Sequence, residues 1–136
     1  MNKKYSIKYG ESSQYEIGKL MTALEQSANA IVITNAEGQI DYLNPAFVTL
    51  TGFSIHENAG NNVSLLKCKS HTPSFYKNIE HTICDGQTWT GKVFCKCKNK
   101  RIIPVEASFS PVYDPKQQNI IGFVGVAIDI TEQERV

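Results

Sequence analysis

The chain has 136 residues, 41% of them hydrophobic and 20% charged, which is enough for one globular core and too few for two comfortable domains. Its 14 basic and 13 acidic residues give a net charge of +1 without any run of like charge, so the charge balance predicts neither a nucleic acid nor a membrane as partner. No segment approaches the roughly 18 apolar residues of a membrane span, and the first residues lack the apolar centre of a signal peptide, so we expect a cytoplasmic protein.

The first element predicted is a helix. Residues 1–12 show no helical period, and we expect them to form an arm. Ser13 and Glu16 make a capping box, which predicts a helix over residues 13–28. Its apolar positions recur at i, i+3, i+4 and i+7 and form one stripe: Ile17, Leu20, Met21 and Leu24. This stripe must be covered, either by the sheet of its own domain or by a second copy of the chain, and a homodimer is expected.

A hairpin and a short helix follow. Residues 30–34 and 39–43 are β-branched or apolar runs separated by the turn residues 35–38, as in two paired strands. Asn44 is a good N-cap and Pro45 a good first helical residue, so a short helix is expected up to Gly52.

The middle of the chain is more polar. Residues 54–70 predict short helical turns. Thr72 and Pro73 repeat the pattern of a cap followed by proline, and they predict a longer helix that Gly86 ends. One face of that helix is apolar, with Tyr76, Ile79 and Ile83.

From Trp89 onward the apolar period becomes two, which predicts three strands over residues 89–98, 102–109 and 120–130. Pro104 cannot donate to a ladder, so it predicts a sheet edge or a bulge in the second of them. The third run is apolar on both faces, which is typical of a central strand covered on both sides. The helix over residues 13–28 is the natural cover for its outer face.

The four cysteines are Cys68, Cys84, Cys95 and Cys97. They could pair in three ways or bind a metal. The spacing argues against both, because Cys95 and Cys97 lie two residues apart in an alternating strand, without the tight turn of a zinc knuckle. We expect small buried hydrophobic residues and no metal site.

Two strands, several short helices and three more strands make an α+β order, and its motifs resemble those of a PAS domain over about residues 20–134. The motifs are Asn35-Ala36-Glu37-Gly38 with Ile40, Asn44-Pro45-Ala46-Phe47, Thr51-Gly52-Phe53, Trp89-Thr90-Gly91, and residues 110–114 and 125–131. The resemblance implies a five-stranded antiparallel sheet with helices on one face around a small cavity. Such domains serve as sensor or dimerisation modules in kinases, diguanylate cyclases and transcription regulators. The domain itself is expected over residues 29–131, and a linker helix from residue 132.

The light-sensing (LOV) branch of this family binds a flavin through an Asn-Cys pair. The similar segment here begins Asn62-Val63, without the thiol. The branch also places amide side chains on the strands to bond the flavin ring, and the matching positions are Cys95, Val105 and Ala127. Burying the polar edge of a flavin unpaired would cost ~1–3 kcal/mol per group, so the resemblance disfavours flavin.

Two further branches of this family bind a cofactor. A redox-sensing flavin branch shares Asn62, Tyr76 and residues 89–91, but its strand asparagine and its helix tryptophan correspond to Cys95 and Glu80. Haem-binding members have an axial histidine on the long helix. His81 lies on that helix at a different spacing, and His56 and His71 fall in loops. We therefore expect neither flavin nor haem.

What remains is a cavity that the resemblance places among eight mostly apolar side chains. It suits a small apolar metabolite or an acyl chain, or it is filled by its own side chains. The expected lining residues are Val63, Leu65, Ile79, Ile83, Cys95, Val105, Phe109 and Ala127.

The function that follows is regulatory. The first hypothesis is a sensory module in which occupancy of the cavity shifts the last strand, and Asp129, Ile130 and Thr131 pass the shift to an effector domain in the same chain. The alternative is a dimerisation or docking domain without a ligand. We do not expect an enzyme, because the sequence offers no nucleophile, phosphate loop or paired carboxylates at a recognisable spacing.

Overall fold

The computed structural model describes residues 14–116 and 118–134. In these residues five strands form one antiparallel sheet in the order β2–β1–β5–β4–β3, with the last strand at its centre. The strands are β1 (Ala30–Asn35), β2 (Ile40–Leu43), β3 (Trp89–Lys96), β4 (Ile102–Tyr113) and β5 (Ile120–Asp129). The helices are α1 (Gln14–Gln26), α2 (Pro45–Thr51), α3 (Ile55–Asn58), a 3-10 helix (Val63–Leu66) and α4 (Pro73–Cys84). The predicted α+β fold with a five-stranded antiparallel sheet is confirmed.

The caps of α2 and α4 form as the sequence predicts. Asn44 accepts a hydrogen bond from the Phe47 N–H at 3.0 Å, and α2 ends at Gly52, whose φ is 83°. Thr72 Oγ1 accepts from the Phe75 N–H at 3.2 Å at the start of α4. These local signals fix where the helices begin, and therefore which of their faces can meet the sheet.

Asn44 does more than cap α2. Its side chain is fully buried, with an exposed fraction of 0%. Oδ1 also accepts from the Ile31 N–H at 2.8 Å, and Nδ2 donates to the carbonyls of Leu24 at 3.0 Å and Asn29 at 2.9 Å. One amide thus joins the end of α1, the start of β1 and the start of α2. We call this cluster the Asn44 junction.

Helix α1 does not cover the sheet, so the expectation that it lies on the last strand is wrong. It buries no residue, and Ile17, Leu20 and Met21 of its stripe are 51%, 48% and 41% exposed. Its main neighbour is α2, because the Asn44 junction holds its final turn there. On β5, Ile128 is 47% exposed accordingly. The predicted arm over residues 1–12 and the capping residue Ser13 lie outside the described residues.

Pro104 marks neither a sheet edge nor a bulge, contrary to the prediction. It lies in β4, which runs between β5 and β3, and the register with β3 continues through the pair Phe94 and Pro104. The Pro104 carbonyl accepts from the Ile130 N–H at 3.1 Å, so the backbone of Pro104 points towards the side of β5. Strand β5 ends at Asp129, so it has no carbonyl opposite Pro104 that would need a backbone N–H as its donor.

The core consists of two clusters on the inner face of the sheet, and Leu50, Leu66 and Ala127 pack against both. One cluster belongs to β3 and β4, and the other to β1, β2 and α2. The described residues contain no helix that is long and apolar enough to cross a membrane. The space between the two clusters is where the candidate site lies.

Candidate functional site

A cavity of about 440 Å³ lies between the inner face of the sheet and the helices. Strands β1, β3, β4 and β5 form its floor, and the 3-10 helix and α4 form its opposite wall. Its volume falls within the ~300–1,000 Å³ typical of small-molecule sites.

The structure places seven of the eight expected lining residues around this cavity: Val63, Ile79, Ile83, Cys95, Val105, Phe109 and Ala127. Leu65 packs instead against the cluster of β1, β2 and α2, and Leu66 lines the cavity in its place. The reason is the 3-10 helix, in which residues three apart lie on the same side, so Val63 pairs with Leu66 rather than with Leu65.

A glycine shapes the floor. A Cβ at Gly125 would lie 3.0 Å from Phe109 Cδ1 and 3.0 Å from Val32 Cγ1. Only glycine therefore lets the Phe109 ring approach β5 this closely without displacement. Trp89 stacks on Phe109 with ring centroids 5.8 Å apart and so extends this aromatic wall towards α4.

The polar groups of the wall are already satisfied. Among the described residues, no buried side-chain nitrogen or oxygen lacks a hydrogen-bond partner. Thr34 and Thr51, for example, donate to the backbone carbonyls of Asn35 and Phe47 at 2.9 Å. Burial raises the pKa of the Cys95 thiol to about 12, so it remains protonated and unreactive at neutral pH. The interior offers contact surface and no free polar anchor.

The fit to a flavin can be tested at the positions that the LOV branch uses. Cys95, Val105 and Ala127 all line the cavity, and none presents an amide. Val63 lies where the adduct-forming cysteine is required. Asn62, also in the lining, already donates to the Glu37 carbonyl at 3.1 Å and accepts from the Ser64 N–H at 2.9 Å. These side chains do not fit the polar edge of a flavin ring.

The fit to haem or a metal is no better. His81 is exposed on α4, outside the cavity lining, so it is not placed to ligate a haem there. The described part of the chain contains no group of three His, Cys, Asp or Glu side chains arranged to hold a metal ion.

The charged groups lie at the mouth of the cavity. Lys67 Nζ is 3.2 Å from Glu80 Oε1 and 5.0 Å from the centroid of the Tyr76 ring. The two side chains of this ion pair are 41% and 61% exposed. The pair joins the end of the 3-10 helix to α4 across the opening, and it is accessible to solvent and salt.

A loop over residues 67–72 connects the 3-10 helix to α4 and is held against β3. His71 Nε2 accepts from the Phe94 N–H at 2.8 Å, and Cys68 Sγ donates to the Phe94 carbonyl at 3.5 Å. The Tyr76 hydroxyl bonds the backbone of Cys68, accepting from its N–H at 3.0 Å and donating to its carbonyl at 3.3 Å. Sequence reasoning gave His71 no role, because its partner is 23 residues away. We call these contacts the His71 latch.

The expected relay residues lie where β5 leaves the sheet. Asp129 Oδ1 accepts from the Thr131 N–H at 2.8 Å and from its hydroxyl, and these bonds lower the pKa of Asp129. Residues 131–134 form a turn in which the Glu134 N–H donates to the Ile130 carbonyl at 3.1 Å, and Glu134 pairs with Lys92 of β3. The predicted linker helix is thus a turn as far as residue 134, and residues 135–136 lie outside the described residues.

Known proteins resemble the chain in sequence. Residues 28–132 match the family described as PAS domain. The hybrid signal transduction histidine kinase L of Dictyostelium discoideum is 32% identical over 98% of this chain, and sporulation kinase C of Bacillus subtilis is 33% identical over 93%. The nitrogen fixation regulatory protein of Klebsiella pneumoniae is 29% identical over 79% of the chain. The chain spans only 8%, 28% and 22% of these three curated relatives, respectively.

Solved structures have the same fold. An RNA-binding light-oxygen-voltage receptor superposes with a TM-score of 0.82 at 23% identity, covering 95% of this chain and 37% of the receptor chain. The PAS domain of a protein from Colwellia psychrerythraea superposes with a TM-score of 0.72 at 26% identity, covering 85% of this chain and 98% of that one. With its sheet order, its inner cavity and a family match over residues 28–132, the chain belongs to the PAS domain family.

Proposed function

We propose that this PAS domain is the cytoplasmic sensory module of a larger signalling protein, and that it binds a small, mostly apolar ligand in its cavity without a flavin or haem cofactor. The observation that carries the proposal is the cavity of about 440 Å³, whose interior wall is apolar and has no unsatisfied polar side chain among the described residues. Relatives that are kinases and a nitrogen fixation regulator support a regulatory role in which the effector is another domain of the same chain.

The chemistry of the wall limits the ligand. A polar group buried against these residues would find no side-chain partner, at a cost of ~1–3 kcal/mol per group. The ligand therefore has an apolar body and at most one polar end, placed at the mouth near Lys67 and Glu80. At the packing density of protein interiors, ~0.75, the cavity holds a chain on the order of ten carbon atoms.

Strand β5 is the natural output. Gly125 and Ala127 of β5 line the cavity, and a few residues later the Ile130 N–H is bonded to β4 and Glu134 to Lys92 of β3. A ligand that fits one position of β5 better than another shifts the equilibrium between the two, whereas equal affinity for both shifts nothing. Asp129, Ile130 and Thr131 carry that shift out of the sheet.

The test is a ligand series with a cavity-filling variant. Straight-chain alcohols of increasing length are titrated against the wild type and against Ala107→Leu, whose larger side chain projects into the cavity from a position that is 3% exposed. We expect a melting temperature that rises by several degrees with the best chain, and at least tenfold weaker binding in Ala107→Leu. Ala23→Leu on the exposed surface of α1 is the matched control and binds as the wild type does.

Two results would overturn this function. If no chain raises the melting temperature of the wild type, the cavity is not a site for such ligands. Flavin or haem bands in the absorption spectrum of the purified protein would show that polar or metal-bound cofactors are accommodated after all.

A second function, dimerisation through α1, is favoured by one observation. Ile17, Leu20 and Met21 form an apolar stripe that the sheet does not cover. Burying such side chains against a second copy would contribute about 25 cal/mol per Å². Sedimentation of Leu20→Gln should then show monomers, with Lys19→Gln on the opposite face of α1 as the control. A wild type that sediments as a monomer rejects this candidate.

A further inference from the structure

Strand β3 lies at the edge of the sheet, and the backbone N–H and C=O of its residue Phe94 both point away from the neighbouring strand β4. In an antiparallel pair, alternate residues direct their N–H and C=O away from the partner strand. Phe94, opposite Pro104, is such a residue, and its outward groups are bonded by the loop over residues 67–72. The loop therefore does for the edge of β3 what a further strand would do.

His71 makes the shorter of these two bonds, and only one of its charge states can do so. The ring is stacked on Phe75 with a centroid distance of 3.8 Å and an interplanar angle of 7°, and it meets Tyr76 edge-on at 5.7 Å. This packing aims Nε2 at the Phe94 N–H, 2.8 Å away. A neutral imidazole can accept there while its proton is on Nδ1, whereas an imidazolium has two donors and no acceptor.

We propose that His71 is a pH-dependent positioning residue: the neutral ring holds the loop over residues 67–72 against β3, and the protonated ring releases it and loosens the cavity wall. The loop joins the 3-10 helix to α4, and both elements contribute lining residues, such as Leu66 and Ile79. Release of the loop lets these two elements separate from the sheet at the mouth of the cavity.

The surroundings of His71 determine the direction of its titration. The titratable groups nearest to it are Cys68 on the loop, Tyr76 on α4, and Lys92 on β3, whose ammonium lies 5.0 Å from the Phe94 ring centroid and is paired with Glu134. Burial lowers the pKa of His71 below its usual 6.5. Burial raises the pKa of Tyr76 and of Cys95, so both stay neutral while His71 titrates.

Release is local rather than global. The bonds of Tyr76 to the Cys68 backbone and the ion pair of Lys67 with Glu80 do not depend on the charge of His71. The protonated state therefore keeps the loop tethered to α4 while β3 loses its edge partner. Local opening of this kind leaves the remainder of the sheet intact.

The amide of Phe94 reports on the latch directly, without a variant and without a ligand. Its hydrogen-exchange protection factor, corrected for intrinsic exchange, is measured by NMR between about pH 5 and 8. Because opening takes up one proton, the factor should fall by up to tenfold per pH unit from pH 6.5, the usual pKa of histidine, down to the lowered pKa of His71 in the closed state, and it should level off below that pKa. The amide of Val126 in the central strand is the internal control and should stay protected. A Phe94 protection factor independent of pH, or one that falls in parallel with that of Val126, overturns the proposal.

Trp89, the only tryptophan of the chain, gives a second readout. Its ring packs edge-on against the Phe75 ring at a centroid distance of 5.7 Å, and the His71 ring is stacked on the same Phe75 ring. The wild type should show one fluorescence transition below pH 6.5, the usual pKa of histidine. The transition should vanish in His71→Phe, which keeps the stacked ring and removes the acceptor, and persist in His81→Gln. A transition that survives in His71→Phe contradicts the proposal.

The effect on ligand binding rests on the function proposed above, whereas the latch does not. With the best alcohol of the series, the wild type should exchange ligand faster at pH 5 than at pH 8, and His71→Phe should exchange it equally fast at both. If no alcohol binds, the sensory function fails while the exchange and fluorescence results still decide the latch. If the alcohols bind but their exchange rate in the wild type does not depend on pH, His71 does not control ligand exchange, while the sensory function stands.

Discussion

The two sides of the cavity are closed by different chemistry. On the α2 side, the Asn44 junction uses an uncharged, fully buried amide whose four hydrogen bonds link α1, β1 and α2. On the α4 side, the His71 latch and the Lys67–Glu80 pair use groups that change charge or are exposed to solvent. A buried neutral amide responds to neither pH nor salt. The imidazole of His71 responds to pH, and the exposed ion pair responds to salt. One side is therefore permanent, and the other is adjustable.

The largest loss of stability is expected from a substitution at the Asn44 junction. Asn44→Ala leaves the Ile31 and Phe47 N–H groups and two carbonyls without their partner in a buried place. We expect the free energy of unfolding to fall by about 3 kcal/mol or more. Urea denaturation measures it, with exposed Asn78→Ala on α4 as the control, which should stay within ~0.5 kcal/mol of the wild type. A loss at Asn44 as small as that at Asn78 would mean that the junction is not what holds α1 and α2.

An intermediate effect that depends on pH is expected at His71. Because burial lowers the pKa of His71 in the folded state, the unfolded state binds more protons near and below pH 6.5. The contribution of the latch to stability is therefore complete above pH 6.5 and is lost as the pH falls. At about pH 8, His71→Phe should cost about 1 kcal/mol, the value of one hydrogen bond.

The measurement is the difference in unfolding free energy between the wild type and His71→Phe as a function of pH, which removes the titration of groups common to both. We expect this difference in unfolding free energy to become smaller as the pH is lowered. A difference that grows towards acid would reverse the sign of the His71 contribution and reject the comparison between the two sides.

The smallest effect is expected at the mouth. Lys67→Gln removes an ion pair whose side chains are 41% and 61% exposed, so stability should change by less than ~1 kcal/mol. The change should disappear in about 1 M salt, where charges are screened within ~3 Å. Unfolding in low and high salt checks this, and a salt-independent loss would show that Lys67 acts through its packing on Tyr76 instead.

Much of the floor of the cavity could be predicted from the sequence, because a strand alternates its faces with a period of two. Cys95, Val105 and Phe109 belong to that alternating pattern, and all three line the cavity. Ala127 and Leu65 were expected there from the resemblance to PAS domains; Ala127 lies in the lining, whereas Leu65 lies outside it because the backbone there is a 3-10 helix, in which residues three apart share a side. The error lies in the local period, which the polar composition of residues 54–70 does not reveal.

Contacts between distant residues could not be predicted. The pair Asn44-Pro45 indicated a helix cap, and the cap is present, but the bonds from Asn44 to Leu24 and Asn29 span 20 and 15 residues. His71 has no local signal at all, since its role depends on the outward N–H of Phe94 and on the register of β3 with β4. The apolar stripe of α1 predicts a contact with the sheet or with a second copy, and nothing in the sequence indicates that Asn44 anchors the end of the helix beside α2.

Strand β3 has a consequence for the path of the chain beyond the sheet. Its inner side chains line the cavity, its outer edge is bonded by His71, and Lys92 on its outer face holds Glu134 just after β5 has ended. A shift of β3 would therefore act on the segment after Ile130 through the Lys92–Glu134 ion pair, in addition to the hydrogen bond that joins the Ile130 N–H to Pro104 of β4. The direction in which the chain leaves the sheet thus depends on two neighbouring strands, one of which is the edge strand that His71 contacts.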